Sequence, residues 1–155
     1  MIYVIDTSVV SMLHKNYYRE NFPSLWKRFD GMVNDGLFTS CREAFRELED
    51  IGGQGFDWAK ANVGLFVAPD AKEGGIVAQI YAVKHLQANI EKQKLHKGGK
   101  CADPFLIARA KSIGGTVLTM EQLRANSAKI PNICEHFKVP CVDLQEFMEV
   151  EGWQF

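Results

Sequence analysis

The sequence has no apolar stretch approaching the roughly 18 residues that a membrane span requires. Its opening, Met-Ile-Tyr-Val-Ile-Asp, lacks the basic region and long apolar run of a signal peptide, so a cytoplasmic protein is the expectation. Cysteine is sparse and without pattern: Cys41, Cys101, Cys134 and Cys141 form no C-x-x-C pair and have no histidines at zinc spacing. Reduced, mostly buried thiols are therefore expected. No G-x-G-x-x-G follows the first apolar run, which argues against a dinucleotide-binding enzyme. Repeats, low-complexity segments and linkers are also missing. Net charge is only −1, so the whole molecule exerts no pull on a polyanion. Contact with nucleic acid has to rest on a local patch or on bound cations.

What is present suits one domain spanning residues 1–155: 46% of the residues are apolar and 24% charged, the balance of a folded chain. Short apolar runs alternate with longer amphipathic stretches, which predicts an α/β fold with a mainly parallel sheet. Ile2–Ile5 reads as a strand ending at Asp6, with Thr7 or Ser8 capping a helix through Leu13. Ser24–Asn34 reads as a helix, because Leu25, Trp26, Phe29 and Val33 recur at helical spacing. Leu37-Phe38-Thr39 is a strand, and Ser40 caps the helix that carries Glu43 and Glu47 and stops before Gly52-Gly53. A short helix over Phe56–Ala61 and an extended Leu65-Phe66-Val67 follow. Lys72 to about Gln93 is helical in character, with a break near Gly74-Gly75, and leads to a basic loop over 96–100. Asp103 at a cap and Pro104 at the first helical position open a helix to about Ser112. Thr116–Thr119 is a strand. Ile130–Phe137, a strand at Cys141-Val142 and a terminal helix from Asp143 complete the chain.

The carboxylates carry the chemistry. Asp6 stands at the carboxyl end of the first strand and Glu121 follows the Thr116–Thr119 strand; sites in open α/β sheets form outside such ends. Glu43 and Glu47 are one helical turn apart and share a face. Asp103 opens a helix. Each has a bland alternative, Asp6 and Asp103 as helix caps and the glutamates as solvated positions. Together they make a candidate acidic site for Mg²⁺ or Mn²⁺, which prefer oxygen ligands. Composition and spacing do not choose a substrate. The histidines His14, His85, His96 and His136 show no partner pattern, and Trp26, Phe29, Phe45, Trp58 and Phe137 read as core rather than as base-stacking platforms.

Met1-Ile-Tyr-Val-Ile-Asp-Thr-Ser8 resembles the opening of PIN-domain nucleases, including the VapC-type toxins of toxin–antitoxin pairs. Cys101-Ala-Asp-Pro-Phe-Leu-Ile-Ala-Arg-Ala110 is similar to the PIN helix whose first acid binds metal, and Leu118-Thr-Met-Glu121 to the following strand and its Thr-x-Asp turn. The last third, from Lys129-Ile-Pro-Asn-Ile-Cys to Gly152-Trp-Gln-Phe155, resembles a less studied PIN-like branch. The resemblance implies a three-layer α/β/α sandwich and a metal-dependent endoribonuclease. Asp6 and Asp103 match its metal-holding aspartates, and Glu47, followed by Leu48, matches its Glu-Leu. Glu43 is second choice for that role. Glu121 stands where many members carry Asp. Thr7 and Ser8 match hydroxyls that orient the first aspartate, with Thr119 serving similarly near Glu121. An RNA substrate, a cognate antitoxin protein and a homodimer follow as implied partners.

The densest basic segment comprises Lys84, His85, Lys92, Lys94, His96, Lys97 and Lys100, directly before Asp103. Lys92, Lys94, Lys97 and Lys100 are the expected phosphate contacts, against the alternative of a solvated helix face. A PIN-like module that binds RNA or protein without cutting is the main competing reading. A phospho-accepting signalling domain fits poorly, because Asp6 has no acidic neighbour in sequence.

Overall fold

The computed structural model describes residues 1–96 and 101–155. Strand β1 (Tyr3–Ile5) is buried at every position. Helix α1 (Thr7–Asn16) follows, running a turn beyond the expected end and burying Val9, Val10 and Leu13. Helix α2 (Pro23–Asn34) has proline at its start and buries Leu25, Trp26, Phe29 and Met32. Strand β2 (Phe38–Cys41) leads into α3 (Arg42–Ile51), and α4 (Gly53–Ala61) and a 3-10 turn at Val63–Leu65 lead to β3 (Phe66–Val67). Helices α5 (Ala71–Ala82), α6 (Lys84–His96) and α7 (Asp103–Ile113) precede β4 (Thr116–Leu118). Helix α8 (Ile130–Phe137), β5 (Cys141–Val142) and α9 (Leu144–Val150) end the chain.

All strand pairings are parallel, in the order β3-β2-β1-β4-β5. Tyr3 and Phe38 are register partners, and both side chains face one layer. There Phe29 of α2 lies 4.8 Å from Phe38, and Phe147 of α9 meets Tyr3 edge-on at 4.8 Å. Alternation along the strand sends Thr39 to the opposite face, where the Arg109 guanidinium of α7 donates to its hydroxyl at 3.1 Å. Helix α7 packs across β1, β2 and β4, with α5 against it. The architecture is thus an α/β fold with helices on both faces of a parallel sheet. Among the described residues no helix is long and apolar enough to cross a membrane.

Several local expectations shift. Cys41, not Ser40, is the residue before α3; the Ser40 hydroxyl is buried and donates instead to the Ile5 carbonyl at 2.8 Å, so β2 continues two residues further than Thr39. Asp6, not Thr7 or Ser8, precedes α1. Ala102 precedes α7, which puts Asp103 and Pro104 inside its first turn. Gly74-Gly75 do not break α5, because Asp70 and Glu73 form a reciprocal capping box and a Cβ at either glycine meets nothing. The break falls at Val83, whose extended backbone separates α5 from α6. Gly114 ends α7 with φ +68°, a left-handed position that suits glycine. At Gly115 a Cβ would come within 3.0 Å of the Ile2 carbonyl oxygen, so the chain needs glycine to enter β4 beside β1.

Candidate acidic site

Strand order reverses between β1 and β4, the switch point at which an open α/β sheet leaves a crevice beyond its carboxyl ends. Asp6 leaves β1 at that point and Thr119 leaves β4 beside it, with the Asp6 amide donating to the Leu118 carbonyl at 2.9 Å. Asp6 occupies a helix-capping position, yet its side chain makes no capping bond. Its Oδ2 accepts two hydroxyls instead, from Ser8 Oγ at 2.5 Å and Thr119 Oγ1 at 2.8 Å. Each hydroxyl is aimed by a backbone amide: Met120 N–H donates to Ser8 Oγ at 3.0 Å, and Glu121 N–H to Thr119 Oγ1 at 3.1 Å. A hydroxyl has one proton, so these amides occupy acceptor sites while both protons go to Asp6. Among the described residues Oδ1 receives no hydrogen bond, and no cationic side chain pairs with Asp6, although it is only 5% exposed.

The second and third acids come from α3. Glu43 Oε1 accepts from Arg42 at 3.1 Å, while Glu43 Oε2 is buried and has no hydrogen-bond partner among the described residues. Glu47 Oε1 accepts the Ala102 amide at 3.1 Å, at the start of α7, and so reaches the residue next to Asp103. Asp103 itself is 1% exposed. Two thiols sense the nearby acids. Burial pushes the Cys41 thiol up, and the charges of Glu43 and Asp6 push it further. Cys134 is pushed up by its hydrogen bond with Cys141, by burial, and by the charges of Asp103 and Glu121. Cys41 thus feels the charges of Glu43 and Asp6, and Cys134 those of Asp103 and Glu121. Among the described residues no disulfide forms.

The site departs from the expected pattern in two respects. The Thr7 hydroxyl is buried, has no partner among the described residues and does not join Ser8 and Thr119 on Asp6. Glu121 Oε2 accepts the Ile130 amide at 2.8 Å, so one carboxylate oxygen is spent at the first turn of α8. Of the expected phosphate contacts, Lys92 is exposed on α6, and Lys94 lies over the Tyr81 ring at 5.0 Å and beside Glu91 at 3.6 Å. Hydrogen bonding with Tyr81 holds the Lys94 ammonium above its ordinary range. Lys97 and Lys100 lie outside the described residues.

Two features had no sequence signal. Glu73, 3% exposed, caps α5 with Asp70 and pairs with Arg109 at 3.5 Å on the face opposite Tyr3. His14 stands between Trp26 and Trp58, with ring centroids 4.7 and 5.9 Å away.

The donor set is all carboxylate and hydroxyl oxygen, which suits a hard divalent cation. Glu43 Oε2 is buried and, among the described residues, has no hydrogen-bond partner, although the other oxygen of the same carboxylate is paired with Arg42. Among the described residues, no group of three or more His, Cys, Asp or Glu is placed to hold a metal ion. Magnesium is commonly held by one or two carboxylates together with waters and substrate phosphates, so the donor chemistry still fits it.

The model of the family described as Domain of unknown function (DUF4411) matches residues 3–155. The chain belongs to that family. The match runs from β1 to the last residue, so every acid of the site lies within the family's domain. No match was found among the curated proteins.

Proposed function

We propose that the chain is a metal-dependent endoribonuclease whose acids at the β1–β4 switch point hydrolyse RNA phosphodiesters. The observation that carries this reading is Asp6, a buried helix-start aspartate that caps nothing and is oriented by two hydroxyls. Resemblance of the Asp6, Asp103 and Glu121 segments to PIN-domain nucleases supplies the reaction class. Asp6, Asp103, Glu47 and Glu43 would hold Mg²⁺ or Mn²⁺. When bound, the ion supplies Lewis acidity toward the phosphate and toward water. Ser8 and Thr119 keep Asp6 Oδ2 fixed, which leaves Oδ1 as its outward donor. Glu43 Oε2, buried and without a hydrogen-bond partner among the described residues, is a further oxygen that a cation would satisfy. Glu121 holds α8 with one oxygen and has the other for supporting the ion or the attacking water. Under the same reading the chain is a cytoplasmic toxin of a type II pair, restrained by an antitoxin protein and active as a homodimer; its support is the sequence resemblance alone.

A second reading, a PIN-like module that binds RNA or protein without cutting, is favoured by Glu121, which is partly committed to α8, and by the open arrangement of the acids. Incubating the purified chain with a mixed-sequence RNA pool, with and without Mg²⁺ or Mn²⁺, separates the two. The nuclease reading expects cleavage that requires the ion and stops on adding EDTA. RNA retention without cleavage in either metal would establish the module instead.

A further inference from the structure

A phosphate chain that reaches the acids needs cations beside them, and the cavities of the molecule differ in charge. The largest, about 720 Å³ at His14 and Trp58, is lined by Glu20, Asp30 and Asp57. Arg19 lies there too, but it is already bonded to Asp30 at 2.8 and 3.2 Å. A smaller cleft of about 240 Å³ holds Thr119, Glu121, Asp143 and Glu146, with no basic side chain among the described residues. Another, of about 280 Å³, shares Glu121, Gln122 and Leu123 with it and is completed by Arg124 and Lys129. The first two repel a polyanion. The third draws one toward the acids.

Residues 121–129 form neither helix nor strand, yet side chains secure them at three points. Glu121 Oε2 accepts the Ile130 amide at 2.8 Å. Asn132 Oδ1 accepts the Arg124 amide at 3.2 Å, and Asn132 Nδ2 donates to the Arg124 carbonyl at 2.6 Å. From α6, Gln93 donates to the Ala128 carbonyl at 3.2 Å. These bonds leave the Arg124 and Lys129 side chains free for other contacts. Arg124 is exposed, Lys129 is half-buried, and neither pairs with a carboxylate among the described residues, whereas Arg19, Arg42, Lys94 and Arg109 each do. Two cations against Glu121 leave a surplus of one positive charge, which a phosphodiester matches. The cleft falls just below the roughly 300–1,000 Å³ of whole small-molecule sites and suits one group of a longer chain. Leu123, 58% exposed, adds apolar surface for a sugar or base. The cleft adjoins the acidic centre: the Glu121 amide donates to Thr119 Oγ1, whose proton goes to Asp6. We propose that this cleft is a backbone-phosphate site for single-stranded RNA, in which Arg124 and Lys129 hold a phosphodiester adjoining the one at the acids. Its relation to a scissile phosphate rests on the ribonuclease reading; the RNA contact itself is measurable without cleavage.

The test is fluorescence anisotropy of a labelled single-stranded oligoribonucleotide with the full chain in EDTA, over a series of salt concentrations. An Arg124→Gln, Lys129→Gln double variant removes both charges. A Lys15→Gln, Lys27→Gln control makes the same change of net charge at exposed positions of α1 and α2. The first variant should bind about 10-fold or more weakly, with the log–log salt slope flattened by about 1.4, or about 0.7 per contact. The control should keep the wild-type slope. Arg124→Lys keeps the charge and should also keep the slope; if it loses binding as the double variant does, the loop was disturbed and the proposal falls. Equal slopes in wild type and double variant, the same flattening in the control, or no RNA binding by wild type overturns it. Polyglutamate serves as the acidic-protein probe: a double variant that loses polyglutamate but keeps RNA gives the cleft to a protein partner and overturns the proposal. Mn²⁺-dependent cleavage with unchanged KM in the double variant removes this contact and leaves the nuclease standing. The expected flattening without cleavage by wild type keeps the contact and removes the nuclease.

Discussion

Asp6 Oδ2 accepts hydroxyls whose own acceptor sites are filled by the Met120 and Glu121 amides, so the loop after β4 sets the orientation of an acid that follows β1. Ser8 and Thr119 are therefore positioning residues under the nuclease reading. Thr119→Val and Ser8→Ala should each lower cleavage about 10- to 100-fold and weaken Mn²⁺ binding in parallel. A melting-temperature change with unaltered Mn²⁺ affinity would reduce both to structural roles. His14 gives a second residue-level expectation, this one in pH. Its ordinary value is 6.5, and burial lowers it in the fold, with Arg19 lowering it further and Asp30 opposing. As pH drops through 6.5, the unfolded chain takes up a proton that the native ring resists, so stability declines with falling pH in that window. Denaturant melts of wild type and His14→Gln between about pH 7 and about pH 5 should show a smaller decline in the variant. Equal slopes would contradict the buried neutral ring.

The elements show where sequence reasoning reaches and where it stops. Tyr3–Ile5, Thr116–Leu118 and Cys141-Val142 were legible because short β-prone runs stood between turn signals, and α2 because its apolar spacing is helical. Ser40 was misassigned as a cap because its true partner, the Ile5 carbonyl, exists only once β2 lies beside β1. The Gly74-Gly75 break failed for the converse reason: the Asp70–Glu73 box secures that helix from its first turn. Glu121 was legible as an acid after a strand, but its bond to the Ile130 amide spans a loop that no periodicity describes. That bond predicts a split between two variants. Glu121→Gln keeps an acceptor for the amide and should hold stability, whereas Glu121→Ala should lose about 1 kcal/mol in urea melts. Equal losses would mean that the bond contributes nothing specific to α8.

At the scale of the molecule, β1 lies between β2 and β4, which sets Asp6 beside Thr119 at one carboxyl edge. Sequence placed Asp6, Glu43, Glu47, Asp103 and Glu121 at strand ends and on helices, but which of them come near one another depends on strand order, which long crossovers decide. The cavity at His14 and Trp58 was illegible for the same reason, since its walls come from α1, the following connection and α4. With a net charge of −1, the proposed RNA binding would have to rest on local cations. If Lys92, Lys94, Lys97 and Lys100 contact phosphates, replacing all four with Ala should flatten the log–log salt dependence of RNA binding by about 0.7 per contacting lysine. An unchanged slope would assign binding elsewhere. The most direct measurement of the central claim is cleavage of a mixed RNA pool with Mn²⁺ by wild type and by an Asp6→Asn, Asp103→Asn double variant whose circular dichroism matches wild type. The account predicts ion-dependent cutting by wild type and none by the folded variant. Equal cutting by both would contradict it and place the activity outside these carboxylates.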